Sequence, residues 1–382
     1  MSEPLFTMGI EEEYLLVDPE TRDLIQTSPP TLLERCAARC EGQQVSPELL
    51  RSQIEVGTRI CRNLTEARES LADLRRTIIE VAAEHKLRLV AASTHPFARW
   101  AKQKYTEKAR YAALSQEMQV AARRMVICGM HVHIGIDDDE LRIDLMNQYS
   151  YFLPHLLALS CSSPFWEGQD TGLKSYRLTV FDVIPRTGLP ERFDSYADFQ
   201  RHIRIMVDAG LIPDSTMIWW DVRPSGRYPT LETRIMDVCT NINDALCLAA
   251  LVVCTLRMLW RLRRANQRWR MYSRLLINEN RWRAMRYSID EGLIDLGRGK
   301  IIPFPQLMEE LLELIREDAE ALGCLKEVQR VRHILAAGTS AHHQIRAYRE
   351  AREAGADQQE ALRAVVDYLI HESAVDTGAR ST

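Results

Sequence analysis

The sequence predicts an α/β or α+β protein, and three observations carry that expectation. Strand-like and helical stretches alternate through the first part of the chain, a pattern that builds a sheet with helices laid on it. Residues 126–136 form the most regular strand pattern in the sequence. From Pro305 to Ile370 the period is helical throughout, with Gly323, Gly338 and Gly355 as breaks. At 382 residues the chain can bury a large core as two domains or as one oversized unit, and length alone does not choose.

Composition excludes more than it selects. A formal net charge of -4 with mixed charges describes an ordinary soluble protein and gives no sign of affinity for nucleic acid or an anionic membrane. The N-terminal MSEPLFTMGIEEEY lacks a basic segment followed by an apolar one, so a cytoplasmic protein is expected. Nine cysteines, an odd number without CxxC pairs, fit reduced and mostly buried thiols. The longest apolar run, Ala245 to Leu256, is shorter than the ~20 residues a bilayer requires and reads as a buried helix. The sequence contains no internal repeat, low-complexity tract or evident linker.

The first element is Met8–Val17. At a two-residue period Glu11, Glu13, Leu15 and Val17 share one face, and Ile10, Glu12, Tyr14 and Leu16 the other. Asp18-Pro19 closes the strand as a turn. Two like charges on one strand face repel unless something positive lies between them. Either the strand is an edge with a solvated acidic face, the simpler reading in isolation, or a divalent cation bridges the carboxylates. A helix is expected over Thr31–Arg39, then a strand at Gln53–Thr58, where Glu55 alone would be taken for a surface acid. Leu64–Leu87 has helical spacing with Thr65 as its cap, and Leu87–Ala92 returns to strand.

Lys108–Arg124 is expected to be helical. In the strand of residues 126–136, Met130, Val132, Ile134 and Ile136 form an apolar face, leaving Gly129, His131, His133 and Gly135 opposite. Glycines beside two histidines suggest clearance for a ligand or another backbone. A zinc pair is the competing reading, weakened by the lack of further nitrogen or sulfur ligands nearby. Asp137–Glu140 read as caps of a long helix through Leu159. Ser163–Pro190, rich in Gly, Pro and Thr and containing Ser175-Tyr176-Arg177, is long and irregular enough to serve as a lid or binding loop. Asp194–Ala209 looks helical.

Ile218–Ser225 and Pro229–Asp237 read as two strands around a turn at Gly226, the second presenting Glu232 and Arg234 on one face. That pair either neutralises itself or gives a carboxylate to a metal and a guanidinium to a phosphate. Asn241–Asn266 is a long helix. Between Arg257 and Arg286 lie ten arginines and one acid, Glu279, most of which are expected on solvated faces or paired with remote acids. Arg281, Arg283 and Arg286 stand out because they flank Trp282 and Tyr287.

Seven segments, GIEEEY, SQIEVGT, THPF, GMHVHIG, WDVRPS, LETRIMD and ENRWRAMRYSID, occur in this order. Together they resemble the carboxylate-amine ligase family labelled glutamate–cysteine ligase type 2, over about Met8 to Gly355. The resemblance implies an α+β fold of the glutamine synthetase kind. In it a curved, mainly antiparallel sheet forms the floor of a funnel, backed by helices, in one catalytic domain over 1–372 with a flexible tail at 373–382. It implies Mg2+, or Mn2+, held by Glu11, Glu13 and Glu55, with His131 and Glu232 completing a further metal position. Arg234 would face the transferring phosphate, and Arg223 would hold a substrate carboxylate. Arg281 and Arg286 would lie near ATP, with His133 and Arg177 counted beside them as cofactor-binding candidates. Ser288 departs from the family pattern, which has glycine there; a positive backbone angle at that position would strain serine.

The implied reaction joins a carboxylate to an amine through an acyl phosphate made from ATP. Glutamate and cysteine are the leading substrates, and a homodimer is a plausible assembly. Three other readings compete: a phosphotransferase without an amine pocket, a non-catalytic nucleotide-binding homologue, and a nucleic-acid binder using the arginine-rich region. The last lacks a chain-wide basic balance.

Overall fold

The computed structural model describes residues 3–40, 42–107 and 116–379. Its centre is a seven-stranded sheet made of β1 (Met8–Val17), β2 (Gln44–Pro47), β3 (Gln53–Gly57), β4 (Arg88–Val90), β5 (Met130–Gly135), β6 (Val222–Pro224) and β7 (Thr230–Thr233). The strands run in the order β6-β7-β5-β1-β3-β2, with β4 also beside β1. Every pairing in it is antiparallel. The sheet is open, with helices packed behind it, which makes the protein α+β.

β1 lies in the middle, flanked by β3 on one side and by β5 and then β4 on the other. A solvated edge strand is thereby excluded. The alternation expected of β1 and β5 is realised: Ile10, Met130, Val132, Ile134 and Ile136 are all buried in one apolar cluster behind the sheet. Glu12 and Tyr14 also point backwards. Arg75, from the helix Leu64–Glu84, meets Glu12 there with two hydrogen bonds of 2.7 and 2.9 Å, and donates to the Cys239 and Thr240 carbonyls. Both charged side chains are fully buried, so each depends on the other.

The helix Ile242–Arg264, capped by Asn241, is apolar enough and, at 23 residues, long enough to cross a membrane, but 83% of its apolar window is packed inside the fold. All nine cysteines are free thiols and buried. Much of the arginine-rich stretch pairs with distant acids: Arg257 and Arg261 with the buried Asp318, and Arg263 and Arg268 with Asp144.

Several local expectations change. Asn63, not Thr65, caps Leu64–Glu84, its side chain accepting the Glu66 N–H at 2.9 Å. The helix expected through Leu159 is Asp139–Tyr149, a 3-10 turn at Ser150–Phe152 and a second helix Leu153–Ser160, with Pro154 in its first turn where a missing N–H costs little. Asp138 caps the first of these. Of the helix expected over Lys108–Arg124, residues 108–115 lie outside the described residues, and Val120–Arg123 is helical. Of the tail expected at 373–382, residues 373–379 are among the described residues. The helix Gln358–Ala374 runs past residue 373, Ser373 accepts the Ala91 N–H, and Thr377 is buried. Gly323, Gly338 and Gly355 break the C-terminal helices with φ of 64°, 100° and 94°.

Candidate active site

The register of the sheet assembles the site. Moving across the strands, Gly9 of β1 pairs with His133, His133 with Glu232, and Glu232 with Arg223. Two residues further along β1, Glu11 pairs with His131. Two further still, Glu13 pairs with Glu55, which pairs with Ser46. Because these positions differ by two, all of them face the same side. Scattered residues of the sequence thus become neighbouring rows on one floor, the base of a cleft of ≈ 260 Å³.

Glu11, His133 and Glu232 each bring a ligand atom within 4.8 Å of the others. His133 Nδ1 is engaged by Thr230 Oγ1 at 2.9 Å, and its buried Nε2, 3.3 Å from Glu11 Oε1, makes no hydrogen bond of good geometry. A ring nitrogen oriented by its other nitrogen and left without a partner among carboxylates is what a metal ligand requires. The residues therefore fit a divalent cation, held by Glu11, His133 and Glu232. His133 was expected among the cofactor-binding residues and His131 among the ligands. His131 contacts Glu11 through Nδ1 at 3.2 Å, with Arg234 at 3.4 Å from the same atom.

Charge is unevenly balanced across the floor. Burial works against ionisation of Glu11, but the hydrogen bond with His131 and the charges of His131 and His133 beside it hold its carboxyl well below the usual range. Burial likewise opposes Glu232, and the Arg234 and Arg223 guanidiniums overcome it. At Glu13 compensation falls short: burial, with the neighbouring Glu48 charge, pushes it up to about 8 against the Arg177 and Arg234 charges and the Gly129 N–H it accepts at 2.8 Å. Burial and the charges of Glu11 and Glu13 push Glu55 up to about 7. His131 falls to about 4 through burial and the Arg234 charge, whereas His133 is raised despite burial because the Glu11 and Glu232 carboxylates adjoin it. Glu13 and Glu55, facing each other across the strands, are thus both reluctant to ionise.

The guanidiniums differ in freedom. Arg223 binds Glu232 through Nε and Nη2 at 2.9 and 3.2 Å and donates through Nη1 to the Thr216 and Ile218 carbonyls, so it is tied to the protein instead of open to a substrate carboxylate. Arg234 contacts Glu232 through Nη1, while its buried Nε has no partner. Arg177 lies in the cleft wall and donates to the Ile235 and Arg234 carbonyls at 3.3 and 3.2 Å. The clearance at Gly129 is filled by this Arg177 guanidinium, and that at Gly135 by the Thr7 side chain. Both glycines admit the protein's own groups.

Arg281 and Arg286 are not among the residues lining the cleft. Arg281 is buried between Asp182 and Asp221, at 2.6 and 2.7 Å. Asp221 in turn accepts the Arg234 and Ile235 N–H groups through its carbonyl, so Arg281 reaches the site only through that anchor. Arg286 donates to the Gly172 carbonyl and lies 5.2 Å over the Tyr287 ring. The irregular segment expected as a lid is pinned by Ser163 and Ser175, whose hydroxyls both bond Asp237, and supplies Phe181 and Ile184 to the cleft wall. Sequence reasoning missed Glu48, Gln53, Arg227 and Tyr228 in the cleft. The last two lie in the turn around Gly226, and a turn of that composition between two acid- and arginine-bearing strands was the signal that pointed to them.

The same fold occurs in solved structures whose sequences have diverged from this one. The crystal structure of a bifunctional glutathione synthetase from Pasteurella multocida matches with a TM-score of 0.69 at 14% identity, covering 96% of this chain and 52% of that one. A glutamate–cysteine ligase from Francisella tularensis in complex with AMP matches with a TM-score of 0.69 at 13% identity, covering 99% and 91%. At such identities the likeness is one of fold. The open antiparallel sheet with helices behind it is the fold these two proteins share with this chain.

The particular family follows from sequence. The model for "Glutamate-cysteine ligase family 2" matches residues 7–367. A Rhodospirillum rubrum relative is 59% identical over 99% of this chain and 98% of its own length, and one from Jannaschia sp. is 53% identical over 98% of both. Each bears the name "Putative glutamate--cysteine ligase 2". This chain belongs to glutamate-cysteine ligase family 2.

Proposed function

We propose that this protein is an ATP-dependent ligase that activates the side-chain carboxylate of L-glutamate as an acyl phosphate and transfers the acyl group to an amine, with L-cysteine as the reference acceptor. The observation that carries this reading is the cluster Glu11, His133 and Glu232 beside the partly unpartnered Arg234, next to the incompletely compensated Glu13 and Glu55. A carboxylate is a poor electrophile, and it repels the γ-phosphate that must activate it. A divalent cation such as Mg2+ or Mn2+ held by the cluster supplies the charge neutralisation and in-line template for that transfer. The histidine in the ligand set suits Mn2+ at least as well as Mg2+.

The protein's own groups do the rest. Arg234, which lines the cleft, meets charge on the equatorial phosphate oxygens. Arg177 and Arg281 keep Arg234 in place, one by binding its carbonyl and the other through Asp221. A carboxylate oxygen forms the new P–O bond as the bond to ADP breaks. The amine then attacks the acyl carbon and phosphate departs. A polyphosphate substrate and reduced thiols fit a cytoplasmic enzyme, and self-association into a homodimer completes the proposed state.

The test is phosphate release from ATP with Mg2+ and L-glutamate, with and without L-cysteine, and mass spectrometry of the products. Amine-dependent release with a new γ-glutamyl amide, lost in both Glu11→Gln and Arg234→Ala, is the expected result. Turnover untouched by either substitution would overturn the site. A stable phosphorylated acceptor without amide would instead favour the phosphotransferase reading.

A further inference from the structure

The cleft has two chemically different ends. At the start of β1 lie the cation cluster and Arg234. Further along β1, past Glu13, the floor becomes Gln53, whose side-chain amide donates to the Ile127 carbonyl at 2.7 Å. Above that end stands a wall of Leu49, Ile127, Phe181, Ile184, Met217 and Trp219, all of which line the cleft. Five of them belong to one apolar cluster, distinct from the one behind the N-terminal half of β1, and Met217 packs against both. The wall is a continuous face of the core opening into the cleft. Phe181 is tied to this end by its neighbour: the Arg177 guanidinium that lies 5.6 Å from its ring also occupies the clearance at Gly129, which pairs with Glu13.

Beside the wall is a carboxylate off the strands. Glu48 adjoins Leu49 in the chain, accepts the Leu49 N–H at 2.6 Å, and is close enough to raise Glu13. The guanidinium at this end, Arg177, is tied to the Ile235 and Arg234 carbonyls, so the carboxylates set the character of this end, hostile to phosphate oxygens and favourable to an ammonium group, while the apolar wall favours hydrocarbon. The phosphates belong with Arg234 and the Glu11, His133 and Glu232 cluster at the other end.

We infer that this end binds the acceptor, and that the preferred acceptor is an amine carrying an apolar or aromatic side chain larger than the CH2SH of cysteine. This rests on reading the cleft as that of a ligase. Glu48 receives the ammonium, and the six apolar side chains receive the hydrocarbon. The neutral amine's lone pair forms the C–N bond as the acyl C–O bond to phosphate breaks. Phosphate leaves with that electron pair, and the two protons shed by the original ammonium pass to water and the departing phosphate.

The experiment separates the two levels. Hydroxylamine, too small to use the wall, traps the acyl phosphate as a hydroxamate in the presence of ATP, Mg2+ and L-glutamate, and reports the ligase reading alone. With hydroxamate formed, kcat/KM is compared for L-cysteine, L-alanine, L-leucine and phenethylamine. Preference for leucine or phenethylamine over alanine by about tenfold or more is expected, from the discrimination that methylene-sized differences give in an apolar pocket. In Phe181→Ala and Ile184→Ala the ratio of phenethylamine to cysteine falls about tenfold, whereas a general folding defect lowers both in proportion. Preference for cysteine or alanine, or a ratio unchanged in both variants, overturns the inference while leaving hydroxamate formation intact. Absence of hydroxamate defeats the underlying ligase reading with L-glutamate and the inference with it.

Discussion

Adding one methyl group at Gly129 tests how the cleft is built. A Cβ there would lie 2.5 Å from Arg177 Nη2, 3.2 Å from its Cζ and 3.1 Å from His131 Nε2. A long side chain often swings away from such a contact, but Arg177 is 3% exposed and its Nη1 and Nη2 both donate to backbone carbonyls. Overpacking of this kind costs about 1–3 kcal/mol, with more if a charged hydrogen bond, about 1.5–3 kcal/mol, is lost. At about 2 °C per kcal/mol for a chain of this length, Gly129→Ala should lower Tm by roughly 2–6 °C. Turnover should fall with it, because the carbonyls Arg177 holds are those of Arg234 and Ile235. A double-mutant cycle assigns the cause. Arg177→Met removes the obstructing guanidinium, so Gly129→Ala in that background should cost much less, leaving a coupling of about 1–2 kcal/mol. Additive effects, or a Gly129→Ala protein with unchanged Tm, would refute the proposition that this glycine exists to seat Arg177.

Three other changes have outcomes that follow from named contacts. Arg75→Met leaves Glu12 buried without its counter-charge and should cost about 3–5 kcal/mol, read as a lower urea midpoint. Glu55, pushed up to about 7 against an ordinary 4.5, favours folding when protonated; that contribution is present below pH ~4.5 and lost as pH rises through about 7. In EDTA the Tm should therefore decline from pH 5 to 8, less so in Glu55→Gln, and an equal decline in both would reject the assignment. Ser288 adopts φ 54° and ψ -118°, with its hydroxyl donating to the Ala158 carbonyl at 2.5 Å. Both Ser288→Gly and Ser288→Ala lose that bond, but glycine alone escapes the strain, so the glycine variant should be the more stable of the two by about 1–2 kcal/mol in denaturant unfolding.

The floor of the site was legible because a strand's two-residue period is visible in sequence. Glu11 with Glu13, His131 with His133 and Glu232 with Arg234 could be put on shared faces before any pairing was known. Register was not legible. Nothing in the spacing says that His133 sits opposite Glu232 while His131 sits opposite Glu11, so His133 was separated from the carboxylates it adjoins. Arg281 shows a second limit. An arginine beside a tryptophan reads as a ligand contact until Asp182 and Asp221, far away in sequence, are found on its guanidinium. Glu48 and the apolar wall were hidden for a similar reason, since they come from separate connecting segments that meet only when the sheet has formed. At Ser288, where the resemblance leads to an expectation of glycine and a serine could have altered the turn, the positive φ is adopted all the same.

Three consecutive acids in the central strand of a sheet should be prohibitive, and the structure disposes of each charge differently. Glu12 points backwards into the core and is met by Arg75 in a fully buried pair. That pair also fixes the face of β1, because a one-residue slip would turn Glu12 into the cleft and leave Arg75 unpaired. Glu11 points forwards and is held ionised by His131 and His133. Glu13 accepts the Gly129 N–H, but that bond and the Arg177 and Arg234 charges do not offset its burial, and with Glu55 opposite it the two remain reluctant to ionise near neutral pH. The sheet is therefore balanced without a ligand except at this pair. A divalent cation arriving there would displace protons, ionise both carboxylates and create the positive centre that a second anionic substrate needs. On this argument metal affinity at Glu13 and Glu55 must rise with pH across the range from about 7 to about 8 in which they titrate, whereas affinity at Glu11, already ionised, must not depend on these two protons. Mn2+ titrations of Glu13→Gln at pH 6 and pH 8.5 separate the two: the variant should lose the pH-dependent binding and keep the rest, and loss of both would place all of the metal on Glu13.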